Sequence, residues 1–432
     1  MAPASVSPRN GLPPYHLWPS DAEALLPTGG AEDKAQYIWT TLHDFGGTDG
    51  LKGDLARINH IPFDGIEAKT NIWGTGFTPE GIDQNPVYYE FMLERNFATE
   101  PVADITKHIV DRSHRRYNLE TELPAVTEAW SLLVNSSYAQ DLSVQDGTGV
   151  PHLGGAESWA FEGDKHTPSS IMCQVYTAWT KLIEASATIK VAEPFRYDLV
   201  NTGREVLAQL AGPAGQNFTA AIGGEGPLDA ATVRKTGEFY AQVLNDIDAL
   251  VATDTAFQIG PWIEKAKAFA NMNGTAGVED CTEGVGAEEW PTITSCVKFY
   301  ECVTRTLSSG CPLPADRALF GARWNSRTQL TTWNPTPKGG AIPGGPIDYA
   351  SKHWSGLIRD YYAARVTLVM QQALKDAAAG KPLDNDAVTT IKAEHAYNWT
   401  TATNPYPTEV VGDFAAVSKA MHAKYASFFV SC

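Results

Sequence analysis

The chain has 432 residues, with 33 Lys and Arg against 50 Asp and Glu, a formal charge of −17. So acidic a chain excludes electrostatic binding to nucleic acid or to an anionic membrane surface, since both need clustered cations. A content of 43% hydrophobic and 10% aromatic residues supports a large buried core and excludes global disorder. No run of about eighteen apolar residues is present to form a membrane-spanning helix.

Residues 1–34 are dense in Pro, Ser and Gly and read as a loop-like tail. QYIWTTLHDF (36–45) mixes β-branched and aromatic residues and ends at Gly46-Gly47, which predicts a buried strand running into a loop. A short helix from about Gly50 to Asn59 is expected next, then a second strand within AKTNIWGTGF (68–77). Asn85 suits an N-cap and Pro86 a first helical position, with VYYEFMLERNF continuing the helix. Strand, helix, strand, helix is the grammar of a parallel α/β unit.

From about Pro101 the pattern is helical only. Val102, Ile105 and Ile109 recur at helical spacing, and Tyr240, Val243, Leu244, Ile247, Leu250 and Val251 fall on one helix face. A long helix is expected from an Asp348 cap through Tyr349 to Ala379, stopped by Gly380, Lys381 and Pro382. The residues alone thus describe a fragment of α/β followed by a large all-helical domain with one insertion.

Four of the six cysteines, Cys281, Cys296, Cys302 and Cys311, crowd into that insertion, while Cys173 and Cys432 stand apart. The spacings lack the CxxC pairs of a zinc site and read as disulfides of an oxidising compartment, with three possible pairings among the four. Sequons at Asn135, Asn217, Asn273 and Asn398 agree with passage through the secretory pathway, to a secreted or vacuolar/lysosomal destination. The N-terminus has no apolar signal-peptide core, so the expectation is that it is not complete.

No signature calls for a cofactor. Gly74-x-Gly76 has the wrong continuation for a dinucleotide fold, and neither a P-loop nor a GxSxG elbow occurs. His108 and His114, six apart, do not make a metal pair, and Asp384-Asn385-Asp386 reads as a helix start, so no metal site is expected. Two features carry possible chemistry. Glu80 lies just past a strand in a Pro/Gly turn, where catalytic groups collect in α/β barrels, although a helix-start carboxylate would look the same. His43 and Asp44 end the preceding strand, and a satisfied buried pair would look the same.

The runs IWTTLHDFGGTDGLKG (38–53) and GTGFTPEGIDQNPVYYEFMLE (74–94) resemble the end of the catalytic barrel of α-N-acetylglucosaminidases, a glycoside hydrolase family. HRRY (114–117), AWSLLVNSSY (129–138), FRYDLVNTGREVLAQL (195–210), NSRTQLTTWNP (325–335) and IDYASKHWSGLIRDYY (347–362) resemble its C-terminal helical domain, in the same order. The resemblance implies a mainly α chain: a tail at 1–34, a C-terminal remnant of a (β/α)8 barrel at 35–98, and an all-helical domain at 99–432 with a Cys-rich insertion at about 271–322. It implies a retaining exo-glycosidase that removes terminal α-linked N-acetylglucosamine from a glycan. Glu80 would be the nucleophile, and His43 and Asp44 would line the sugar pocket, with Asp44 where the family usually has Asn. Trp333 would stack on the sugar, Tyr349 would offer a hydroxyl and Ile347 an apolar wall. Arg323 stands where relatives tend to carry a carboxylate.

The family's general acid is a Glu in an Asn-Glu-Met-like motif well upstream of the LHNFGG-like segment. The only carboxylates before Asp44 are Asp21, Glu23, Glu32 and Asp33, and none lies in such a motif. The expectation is therefore an N-terminally truncated enzyme, inactive alone. The alternative is a non-catalytic carbohydrate-binding or scaffold protein built on the helical domain. Oligomeric state is left open.

Overall fold

The computed structural model describes residues 15–17, 37–43, 50–67, 72–79, 85–139, 161–162, 167–190, 192–272, 326–327, 330 and 352–432. The chain falls into two compact units. One comprises Met1–Val150, Ala156–Gln209 and Ser418–Cys432, the other Pro151–Gly155 and Leu210–Val417.

In the first unit, the β-branched and aromatic run YIWTTLH forms β2 (Tyr37–His43), and IWGTGFTP forms β3 (Ile72–Pro79). Helix α1 (Leu55–Glu67) joins them, and the two strands pair in parallel from Ile38↔Gly74 to His43↔Pro79. This is the expected β–α–β unit, with α1 five residues later than the sequence suggested. The backbone of 50–53 is engaged elsewhere: the Gly50 carbonyl accepts from Asn85 Nδ2, the Leu51 N–H donates to Glu205 Oε2 (2.9 Å), and the Lys52 carbonyl meets His43. Gly53 adopts φ +145°, and a Cβ there would collide with the Tyr88 ring. Helix α1 starts only at Asp54, whose Oδ1 accepts from the Arg57 N–H at 2.8 Å.

The tail 1–34 also departs from expectation. Tyr15–Leu17 forms strand β1, parallel to β2 through Tyr15↔Tyr37 to Leu17↔Trp39, so the sheet order is β1-β2-β3. Three residues are too few for a period-2 pattern to be visible.

Helix α2 (Pro86–Arg95) begins at Pro86 with Asn85 at the N-cap position as expected, but the Asn85 side chain makes no capping bond. Asn85 sits at φ 47°, left-handed, and its fully buried amide bridges the Gly50 carbonyl and the Tyr138 hydroxyl (2.8 Å). Helix α3 (Ile105–Arg116) follows an Asp104 cap, leaving Val102 outside it. The Val102 N–H and C=O instead pair with the buried Asn59 amide, both at 2.9 Å. Helices α4 (Pro124–Val134), α5 (Ser170–Ala185) and the first part of α6 (Glu193–Ile222) complete the unit's core with Trp130, Val175, Trp179 and Phe195. Between α4 and α5, β4 (Phe161–Glu162) and β5 (Thr167–Pro168) pair antiparallel, so the region after Pro101 is not purely helical.

A disulfide joins Cys173 in α5 to Cys432. The sequence placed disulfides in the crowded window, whose four cysteines lie outside the described residues. The bond described unites the two cysteines that stood apart, 259 positions from one another.

The second unit contains the rest of α6, then α7 (Ala230–Val251) and α8 (Ile259–Met272). All six residues of the predicted α7 face are buried. The long helix expected from Tyr349 is described only from a π turn at Ile358–Ala363, continuing as α9 (Ala364–Ala378). Ser355 forms a parallel bridge with Gln258. Gly356, at φ +88°, then turns the chain where a Cβ would meet the Tyr406 ring at 2.5 Å. Gly380, at φ +66°, ends the helix as predicted. Helix α10 (Asn385–Thr401) starts at the Asp384 cap, whose carboxylate accepts from the Ala387 N–H at 2.9 Å. Helix α11 (Phe414–Tyr425) leads to the C-terminus.

Candidate active site

Parallel pairing brings the C-terminal ends of β2 and β3 side by side, so His43 is the register partner of Pro79. Glu80 is the next residue of the chain. It lies outside the described residues, as do Asp44, Trp333, Ile347, Tyr349 and Arg323. Of the expected site residues, His43 is the one whose surroundings can be given.

His43 is 5% exposed and held on three sides. Its Nε2 is 3.0 Å from the Lys52 carbonyl, and its Nδ1 is 3.2 Å from the Tyr89 hydroxyl. The Tyr88 ring stacks on it with centroids 4.2 Å apart. A carbonyl can only accept, so Nε2 carries a proton, and in the neutral ring Nδ1 is the nitrogen left to accept from Tyr89. Both nitrogens are thus engaged by the protein itself. His43 organises the ends of β2, the 50–53 segment and the first turn of α2.

That segment is anchored in turn by residues of the helical motifs. The Leu51 N–H donates to Glu205, a buried carboxylate that also accepts from Arg204 Nη2 (3.2 Å) and Gln209 Nε2 (2.8 Å). The Leu55 N–H donates to the Tyr138 carbonyl at 3.1 Å. FRYDLVNTGREVLAQL and AWSLLVNSSY therefore brace the segment that His43 contacts.

A second buried cluster joins three motifs. The Tyr117 hydroxyl donates to Asp198 Oδ2 (2.8 Å), Arg116 Nε donates to the same oxygen (3.1 Å), and Trp130 Nε1 donates to the Tyr117 oxygen (2.9 Å). Burial pushes the Asp198 carboxyl up against the opposing pull of Arg116, and burial pushes the Tyr117 phenol well above its usual range. The donors converge on one carboxylate within the core, so the cluster is a packing element. In the second unit, buried Asp248 accepts from the Gly356 N–H (2.6 Å), the Arg359 N–H (3.1 Å) and Ser355 Oγ (3.2 Å), which closes the turn into the π segment. Burial pushes its carboxyl up as well.

His108 and His114 stay apart in role, His108 pairing with Glu94 (2.8 Å) and His114 accepting from the Leu123 N–H (3.1 Å). No metal-ligand cluster occurs among the described residues. No helix among them is long and apolar enough to cross a membrane. Asn135, Asn217 and Asn398 are exposed, and Asn273 lies outside the described residues.

Sequence reasoning did not single out Tyr88 and Tyr89. The signal was available: the helix after a strand begins at that strand's C-terminal end, so the first turn of α2 had to face His43.

The family model of the α-N-acetylglucosaminidase C-terminal domain matches residues 109–283 and 314–424, and that of the family's TIM-barrel domain matches residues 24–99. The chain belongs to the α-N-acetylglucosaminidase family. It is mainly helical, with the C-terminal part of the barrel followed by the all-α domain. The barrel match starts at residue 24, inside the stretch read as tail, and the helical match extends to residue 424, beyond the last motif at 347–362.

Human α-N-acetylglucosaminidase is 26% identical over 390 residues, 90% of this chain and 45% of the human protein. The chain thus spans less than half of that relative. The Family 89 glycoside hydrolase of Clostridium perfringens, solved with PUGNAc, has the same fold over 89% of this chain and 39% of its own (TM-score 0.65, 19% identity). Its complex with the substrate GlcNAc-α-1,4-galactose matches at a TM-score of 0.66 and 19% identity over 92% of this chain and 40% of its own.

Proposed function

We propose that the chain is the nucleophile-bearing part of a retaining exo-α-N-acetylglucosaminidase that acts on glycans ending in α-linked N-acetylglucosamine. The observation that carries the reading is the TPEG motif: Glu80 directly follows Pro79, the register partner of buried His43, within a chain that matches both family models in order. Retaining hydrolysis needs two carboxylates about 5 Å apart. In this reading Glu80 attacks the anomeric carbon and forms the glycosyl-enzyme. The second carboxylate protonates the leaving oxygen and then takes a proton from water. These 432 residues contain no Asn-Glu-Met-like motif to supply it.

His43, engaged at both nitrogens, lines the pocket as an organising group. Asp44, Trp333, Ile347 and Tyr349 keep the sugar-contacting roles implied by the resemblance, and the domain division stays at 35–98 and 99–432. The Cys173–Cys432 bond and the exposed asparagines Asn135, Asn217 and Asn398 support an oxidising compartment of the secretory pathway.

The test is an assay of the 432-residue polypeptide on an aryl α-N-acetylglucosaminide, beside calorimetry with N-acetylglucosamine. The reading expects no turnover, and sugar binding that weakens in Trp333→Ala. Turnover that disappears in Glu80→Gln would show that the second carboxylate is within the chain. Binding with no response to any of the named residues would reject the site.

A further inference from the structure

Helix α2 carries a tyrosine that the proposed mechanism leaves unused. This inference rests on the glycosidase reading and deepens it. Tyr89 touches the ends of both strands that form the site. Its hydroxyl lies 3.2 Å from His43 Nδ1 at the end of β2. Its ring stacks on Phe77 in β3, with centroids 5.2 Å apart and planes 11° from parallel. Phe77 pairs in register with Thr41 and precedes Glu80 by three residues. Tyr89 also meets His43 edge-on at 5.3 Å and Tyr88 at 6.0 Å.

We propose that Tyr89 is a positioning residue of the glycosidase site, one side chain that sets the tautomer and tilt of His43 while fixing the end of the strand that leads to Glu80. The Lys52 carbonyl by itself favours the Nε2–H tautomer of His43. A donor at Nδ1 reinforces that tautomer and holds the ring at a single angle, and the phenol lies within reach to be that donor. Phe77 in turn keeps the phenol from rotating away. The last turns of β2 and β3 are then tied through one helix residue rather than by the ladder alone. A strand end that moves by an ångström misaligns a nucleophile.

The experiment compares the 432-residue chain with its Tyr89→Phe variant, which keeps both ring contacts and removes only the hydroxyl. Histidine ¹⁵N spectra, with the His43 signals assigned through His43→Asn, report the tautomer directly. Labelling of Glu80 by N-acetyl-α-glucosaminyl fluoride, followed by mass spectrometry, reports the nucleophile. The expected result is a single Nε2–H pattern for His43 that gives way to a tautomer mixture in Tyr89→Phe, with labelling slowed about tenfold. A merely structural tyrosine would move the melting temperature and leave both readouts alone. An unchanged His43 spectrum, or unchanged labelling, overturns the proposal. Failure to label the unsubstituted chain overturns the glycosidase reading instead, whatever the spectra show.

Discussion

Two buried polar clusters in the first unit carry equally recognisable motifs and do opposite things. Around Asp198, a carboxylate is enclosed by Arg116 and Tyr117, with Trp130 behind the phenol. Around His43, a ring sits between a backbone carbonyl and a phenol, stacked on a tyrosine. The first is a buried carboxylate held by helix residues, whose Arg116 partner also reaches Glu90. The second stands at the C-terminal ends of two parallel strands, one of which is followed in sequence by Glu80. Strength of motif alone does not distinguish the two clusters. Position at a strand end does, and it is the feature on which the proposed function rests.

If this contrast is right, stability and orientation should come apart under mutation. Asp198→Ala should cost the most, about 3–5 kcal/mol in urea unfolding, because it leaves Arg116 and Tyr117 buried without their acceptor. It should leave the His43 tautomer as it was. Gly53→Ala comes next, about 2 kcal/mol, since φ +145° and the Tyr88 ring both oppose a Cβ. This loss should be accompanied by altered His43 signals, because Tyr88 is displaced from the stack. Tyr89→Phe should cost about 1 kcal/mol or less and yet change the tautomer.

The smallest effect concerns pH. Burial raises the Asp198 carboxyl in the folded chain, so stability from that group is full below about 3.8 and falls as pH rises through the folded value. His422, half-buried against Tyr176 (4.6 Å) and bonded to Thr180 (2.8 Å), is lowered by burial. Its contribution is therefore full above about 6.5 and is lost as pH falls through the folded value. In His422→Phe, the loss of melting temperature on acidification below about pH 6.5 should be shallower than in the parent chain. An unchanged slope would remove His422 from the account.

Much of this organisation was legible in the sequence. The β–α–β unit, the Pro86 helix start, the apolar face of α7, the Asp384 cap and the Gly380 stop all follow from local periodicity and capping, and the structure has them. What could not be read depends on distant partners. Asn85 looks like a cap, yet its amide is claimed by Gly50 and by Tyr138, 53 residues away. The helix expected at Gly50 is delayed because Glu205, 154 positions on, takes the Leu51 N–H. Cys173 and Cys432 pair across 259 positions, a distance at which spacing says nothing. The tyrosine pair that holds His43 was not legible from local periodicity, because the contact depends on the first turn of α2 meeting the C-terminal end of β2.

The proposal to test most directly is that Glu80 acts as a glycosidase nucleophile. N-acetyl-α-glucosaminyl fluoride tests it directly, because attack on the anomeric carbon expels fluoride, which needs no proton to leave. Without a general base to activate water, the glycosyl-enzyme should then persist. Mass spectrometry of the treated chain should find one N-acetylglucosamine on the peptide that contains Glu80, and none in Glu80→Gln. A label on any other residue, or no label at all, would contradict the assignment.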